Sequence, residues 1–411
     1  MLKLETSPGA AVLQQPAAAV QTVLTGGAAA RPRLDAIDFL RGLVIVVMVL
    51  DHARDFLGTS ALNPHDVHEP ALFLTRWITH FCAPVFVLLA GVSAFLYGNR
   101  GRSRNEVAMF LLTRGFWLVL IELTLVRLAW TFNLSYDFIL LQVIWVIGAS
   151  LMLLAGLVFL PRWAIAAFAL ALIGGHNLLD GIRAAGFGDA GGLWVFLHDP
   201  GMLQPAPGVQ MLALYSLIPW VGVMAVGYAF GPVMLLDAGQ RRRAILRTGV
   251  AVTAVFILLR LTNVYGDPQP WAVQDSGFAT VLSFINAEKY PPSLVYLIMT
   301  LGPGLLLLGW FKQAKGPLSR AVVTIGRVPF LVYVAHIFLV HAMAVLLAAL
   351  VFGDVAWLFR GLPILTKPDD YGVALPVVYA LWIAAVLMLY PLARWFAALK
   401  QRRRDWWLSY L

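Results

Sequence analysis

Residues 33–58 read RLDAIDFLRGLVIVVMVLDHARDFLG, an apolar run with charges at both ends. From Ile37 to Leu57 a helix rises roughly 30 Å, the thickness of a bilayer's hydrocarbon core. Asp38 and Arg41 stand three apart and meet on one helix face. Arg41 and His52 are eleven apart, about three turns, so they project to nearly the same side with a rise of roughly 16 Å. Asp51, His52, Arg54 and Asp55 crowd one turn at the far end. Ionisable groups at membrane depth are costly and usually face a polar cavity, so this helix marks a candidate site. A plainer reading keeps Arg41 and Asp55 as interface markers and His52 as a structural hydrogen-bonding group.

The rest of the chain agrees with a membrane origin. Of 411 residues, 60% are hydrophobic and 12% charged, about half the charge of a soluble domain. The composition excludes a soluble enzyme, and a single Cys excludes a disulfide framework. Ten apolar helices are expected near 37–57, 78–98, 109–131, 138–159, 162–179, 211–235, 245–262, 292–311, 325–351 and 373–397. The fold class is therefore all-α, a polytopic helical bundle in the lipid bilayer. The net charge of +9 comes from basic clusters such as Arg100–Arg104, Arg241–Arg243 and Arg402–Arg404 in alternate connections. That spacing follows the positive-inside rule and puts both termini in the cytoplasm. It argues against nucleic acid, which calls for one basic soluble face. Residues 1–33, rich in Ala, Pro, Gln and Gly, are expected to be disordered. Residues 34–400 form the transmembrane domain, and 401–411 a short basic and aromatic tail. The outer segments 58–77, 180–210, 263–291 and 352–372 are long, and long loops on one face carry function.

Other histidines fall near this outer face. His80 opens the second helix in TRWITHFCAPVF, near the depth and face of His52, while Gly91, Ser93 and Ala94 below it permit close helix contact. His336 lies within the ninth helix with Tyr333 one turn before it; His341, five residues on, points elsewhere. His68 stands with His65 in the outer loop NPHDVHEP, where a solvated polar loop and a catalytic His are the rival readings. Cys82 in an apolar helix reads as a neutral thiol. No metal is expected.

The pattern Asp38-x-x-Arg41-Gly42, the apolar run to Met48, and Asp51-His52 resemble the catalytic domain of the heparan-alpha-glucosaminide N-acetyltransferase family. His80 to Gly91, and Gly326-Arg327-Val328-Pro329 through Tyr333 to His336, are similar to further motifs of that group. The spacing of Arg41 and His52 also resembles the acyltransferase-3 family. The resemblance implies an integral membrane acyltransferase of the inner membrane that passes acetyl from cytoplasmic acetyl-CoA to a sugar or glycan acceptor at the outer face. It implies O- or N-acetyl transfer, with Arg41 and Asp38 toward the donor and His52, His80, His336, Asp51 and His68 as catalytic candidates. For the catalytic His itself, His52 matches the acyltransferase-3 pattern and His68 the loop position of the lysosomal enzyme. A homodimer is a candidate assembly. The alternative is a transporter or flippase in which His52, Asp51, Asp55 and His336 form a proton relay.

Overall fold

The structure is a computed structural model that describes residues 35–59, 63–403, 405 and 408. The segment 1–33 and most of the 401–411 tail lie outside the described residues. The described residues are 72% helical. Its elements begin with α1 (Asp35–Leu57), α2 (Pro70–Thr79), α3 (Cys82–Gly98) and α4 (Arg104–Ile121). A π-helical turn, Glu122–Val126, joins α4 to α5 (Arg127–Thr131). Strand β1 (Phe138–Leu141) leads into α6 (Val143–Leu157), followed by α7 (Arg162–Gly175), α8 (Gly191–Leu197) and the hairpin β2 (Gly201–Ala206) and β3 (Val209–Ala213). The longer helices that follow are α9 (Leu217–Phe230), α10 (Ala238–Thr262), α11 (Gly277–Ile285), α12 (Leu294–Trp310), α13 (Pro317–Gly326), α14 (Pro329–Leu347) and α15 (Leu375–Arg402).

Among the described residues, seven helical stretches are long and apolar enough to cross a membrane. They are 70–98, 104–131, 162–179, 217–235, 238–262, 329–352 and 375–402. Of the other expected spans, α1 is long but carries charges at both ends, whereas α6 and α12 have only 15 and 17 residues. The all-α expectation needs one correction. Residues 138–141 and 211–213, expected in helices, are strands: β1 pairs parallel with β3 from Phe138↔Gln210 to Leu141↔Ala213, and β2 pairs antiparallel with β3. Short apolar runs do not distinguish strand from buried helix by pattern. The hairpin's stronger signal is Pro207-Gly208 between the paired Ala206 and Val209, with Gly208 at φ +76°, as a tight turn with Gly third requires.

The long connections gather at one end of the bundle. Val373 N–H donates to Leu57 O (2.9 Å) and the Lys367 ammonium to the Gly58 carbonyl (2.9 Å). His68 faces Asp275 (3.7 Å), the Asn133 amide donates to Phe359 O (3.0 Å), and His176 Nε2 reaches Pro292 O (2.8 Å). The short basic connections are tied together elsewhere: Arg104 bonds the Phe159 carbonyl, and Arg327 faces Asp35 and Asp38.

Glycine lets the helices around α1 and α3 approach. A Cβ on Gly91 would strike the Met224 carbonyl of α9, and one on Gly227 the Leu88 carbonyl of α3, so the small residues expected in the second helix do seat a neighbour. At the basic end, α13 crosses α1 where a Cβ on Gly42 would strike Val322 O and one on Gly326 would strike Asp38 O. Both obstacles are backbone and cannot rotate aside. Gly42→Ala is therefore expected to lower the unfolding free energy by about 1–3 kcal/mol, read as a lower melting temperature in detergent. Gly174→Ala, with nothing within 4 Å of the added carbon, serves as the control and is expected to be neutral or slightly stabilising.

Candidate active site

His52 sits near the far end of α1, and His336 in α14 meets it. His52 Nδ1 and His336 Nε2 are 2.7 Å apart, with ring centroids at 4.8 Å and planes 9° apart. Nearly coplanar rings at that spacing are the geometry of an in-plane N–H···N bond. The direction of this bond follows from the next one. His336 Nδ1 lies 3.0 Å from Val332 O, and a carbonyl only accepts, so Nδ1 carries the proton. Neutral His336 then accepts at Nε2, and His52 donates from Nδ1. His52 Nε2 is left with its lone pair and no hydrogen bond among the described residues. Trp130 packs edge-on against His52 (4.9 Å, 72°), with Phe56 stacked on Trp130 at 5.2 Å, and together they hold the imidazole plane.

His52 opens on a small cavity of about 30 Å³, also lined by Met48, Asp51, Thr79, Gln142, Tyr215 and Lys289. That volume holds one or two waters. A group larger than a water or two reaches His52 only as lining side chains move, and the flexible Met48 is suited to yield. Asp51 accepts from Thr79 Oγ1 (2.9 Å) and pairs with Arg54 (2.7 Å), which also binds Asp55 (2.7 Å). Cys82 Sγ donates to Val44 O (3.2 Å), so it is a thiol, as the sequence indicates.

Asp38 and Arg41 form their expected i,i+3 pair at 3.8 Å, three turns below His52. Arg41 also donates to Leu89 O (3.3 Å) and to Ser93 Oγ, while Arg327 approaches Asp38 at 3.8 Å. These groups join α1, α3 and the start of α14. His80 is buried at the end of α2, its ring against Tyr296 (5.4 Å) and its carbonyl accepting from Tyr296 Oη (2.9 Å); it does not line the His52 cavity. His68 stays exposed, 3.7 Å from Asp275. His341 is committed to the Ala129 and Leu358 carbonyls, both at 2.9 Å. The structure thus joins His52, His336 and Asp51 at one place and sets Arg41 with Asp38 at another.

Three residues of this region escape sequence reading. Lys289 reaches the cavity from a loop some 240 residues away in sequence, and a lone Lys in NAEKYPPS has no local signature. Burial opposes its charge, but the Tyr290 hydroxyl and the Asp51 carboxylate outweigh burial and hold the ammonium above its usual pKa. Gln142 enters from the turn between β1 and α6. Glu122, fully buried in the π turn, accepts from Gln142 N–H at 2.8 Å. A π turn is frequent at functional sites, but no residue pattern marks it beforehand.

These features define a polytopic membrane protein with an imidazole pair and a carboxylate on an internal polar cavity. The family model described as heparan-alpha-glucosaminide N-acetyltransferase, catalytic, matches residues 33–262, more than half of the chain. The chain belongs to that family, as the motifs around Arg41, His52 and His80 indicate. The third motif, Gly326 to His336, and Lys289 lie beyond the matched residues. No curated protein matches the chain. The family points to membrane acetyl transfer.

The electrostatics of the outer loop give a pH test. Partial burial of the His65 ring, with the nearby cations Arg76, Arg54 and Lys289, pushes its pKa down to about 4. Between the ordinary value near 6.5 and about 4, the unfolded chain takes up a proton that the folded chain refuses, so stability falls as pH drops through that window. Melting temperatures in detergent between pH 7 and 4 are expected to decline less steeply in His65→Asn than in the parent. Identical slopes would place the titration elsewhere.

Proposed function

We propose that the chain takes acetyl from cytoplasmic acetyl-CoA and transfers it to a sugar or glycan acceptor at the outer face of the bacterial inner membrane. The observation that carries this reading is the hydrogen-bond chain Val332 O, His336, His52, which leaves His52 Nε2 as a base on the cavity. In this reading His52 Nε2 takes the proton from an acceptor hydroxyl or amine. The freed oxygen or nitrogen forms a bond to the thioester carbonyl carbon, the carbon–sulfur bond breaks, and the CoA thiolate leaves and is protonated. Asp51 and His336 favour the protonated form of His52 during the step, the orienting and stabilising role that a carboxylate has in catalytic triads.

Arg41, held by Asp38, lies three turns below His52 and suits the phosphates or the thioester end of the donor arriving from the cytoplasm. The basic short connections support both termini on that side, with residues 34–400 as one transmembrane unit. His68 and His80 stay in the proposal on the acceptor side, where the long loops gather. A homodimer is compatible with this arrangement.

Inside-out vesicles supplied with acetyl-labelled acetyl-CoA test the reading by label recovered in lumenal sugars. His52→Ala is expected to lower transfer by roughly 10²–10⁴-fold, the usual share of a general base, without changing expression or melting temperature by much. His336→Gln, whose amide oxygen accepts from His52 Nδ1, is expected to retain more activity than His336→Leu. Full activity in His52→Ala moves the base elsewhere. Equal loss in both His336 variants removes the tautomer argument.

A further inference from the structure

Arg76 and His80 stand four residues apart at the end of α2 and project from one side of it. Arg76 is 9% exposed and His80 1%. The Arg76 side chain is largely buried but its guanidinium nitrogens keep some accessible surface and make no hydrogen bond or ion pair among the described residues, whereas both His80 ring nitrogens are enclosed without a hydrogen-bond partner. Enclosed polar groups such as the His80 nitrogens are almost always paired, and a charge on a largely buried side chain without a partner, as at Arg76, is costly. The carboxylates that act on Arg76 are engaged elsewhere: Asp51 binds Arg54 at 2.7 Å, and Glu288 accepts from the Lys289 and Tyr290 backbone N–H groups, both at 3.0 Å. Lys289 adds a further cation, and Arg76 and Lys289 are the two charges whose fields reach His80 most strongly. Thr79, between Arg76 and His80 in sequence, lines the His52 cavity together with Lys289. Three donors of different type, a planar fork, an imidazole and an ammonium, suit the three free oxygens of a phosphate ester better than the two of a carboxylate.

We propose that Arg76, flanked by His80 and Lys289, anchors an oxyanion site of phosphate class beside the His52 cavity. The depressed His65 pKa agrees with a positive potential there, since Arg76, Arg54 and Lys289 are the charges that act on it. On the acetyl-transfer reading the oxyanion is carried by the acceptor, an assignment that rests on that reading, whereas the site itself does not.

The test is thermal unfolding of the full chain in detergent, with inorganic phosphate exchanged for chloride at constant ionic strength. The parent is expected to show a saturable rise in melting temperature. Arg76→Met is expected to melt higher than the parent without phosphate, because it removes an unpaired charge from a largely buried side chain, and to bind phosphate at least tenfold more weakly. A purely structural Arg76 gives the opposite sign, a lower melting temperature with the phosphate response intact. Arg76→Gln reads the same affinity loss if Arg76→Met does not purify. No phosphate response in the parent, or an unchanged one in the variants, overturns the proposal. Glucosamine 6-phosphate compared with glucosamine separates the sources: an ester that binds more tightly than inorganic phosphate assigns an acceptor-borne group, and equal affinity assigns the free ion. None of these readouts depends on acetyl transfer, so failure there leaves this result standing.

Discussion

The carbonyl of Val332 governs what His52 can do. It lies one turn before His336 in α14 and accepts only, so it fixes the proton on His336 Nδ1. The fixed tautomer makes His336 Nε2 an acceptor and His52 Nδ1 the donor across 2.7 Å. Each link is a buried hydrogen bond, where such bonds are stronger than in water and an unpaired partner is costly. A helix backbone thereby sets, through His336, the chemistry of a side chain 284 residues before that histidine. It also ties α14 to α1, so the long-range packing of the bundle and the state of the base are one constraint.

Much of this was legible in α1 and little of it elsewhere. Charges at both ends of an apolar run mark Asp38, Arg41, Asp51 and His52 without help from structure, and the three-residue spacing of Asp38 and Arg41 yields their pair. Gly91 as a contact surface follows from residue size. His336 and not His341 is among the candidates read from sequence, but its direct contact with His52 does not follow, because nothing local sets which face of α14 meets α1. One faces His52 and the other is spent on two carbonyls. Lys289 and Gln142 reach the cavity from loops whose path depends on the whole bundle. The strands at 138–141 and 209–213 escape because four or five apolar residues fit either backbone.

The charges of α1 also explain why it is enclosed. A helix carrying Asp38, Arg41, Asp51, His52, Arg54 and Asp55 is costly against lipid on its own. The fold surrounds it instead: α13 crosses it at Gly42, Cys82 of α3 donates to Val44 O, and Trp382 of α15 donates to Val46 O at 2.8 Å. Arg54 neutralises two carboxylates at one end, and Arg41 with Arg327 surrounds Asp38 at the other. Among the described residues Arg76 is a largely buried arginine near this turn that makes no ion pair, which is the reason it stands out as a ligand group and not as another structural ion pair.

The same logic accounts for the irregular backbone beside the cavity. Helix α6 has 15 residues and rises roughly 22 Å, short of the hydrocarbon thickness. The chain ahead of it is strand, and open backbone at that depth is tolerated only where protein pairs it or water reaches it. β3 pairs β1 through its ladder. Gln142, at the junction, turns its side to the cavity and gives its N–H to Glu122 at 2.8 Å. The first turn of a helix carries unpaired N–H groups and a partial positive charge, which is where a buried carboxyl is best placed. The π turn of 122–126 inserts an extra residue into the α4–α5 ladder at this level, and Glu122 opens it. The local irregularity of one helix therefore meets the unpaired backbone at the start of another. That junction keeps Gln142 on the wall that faces His52.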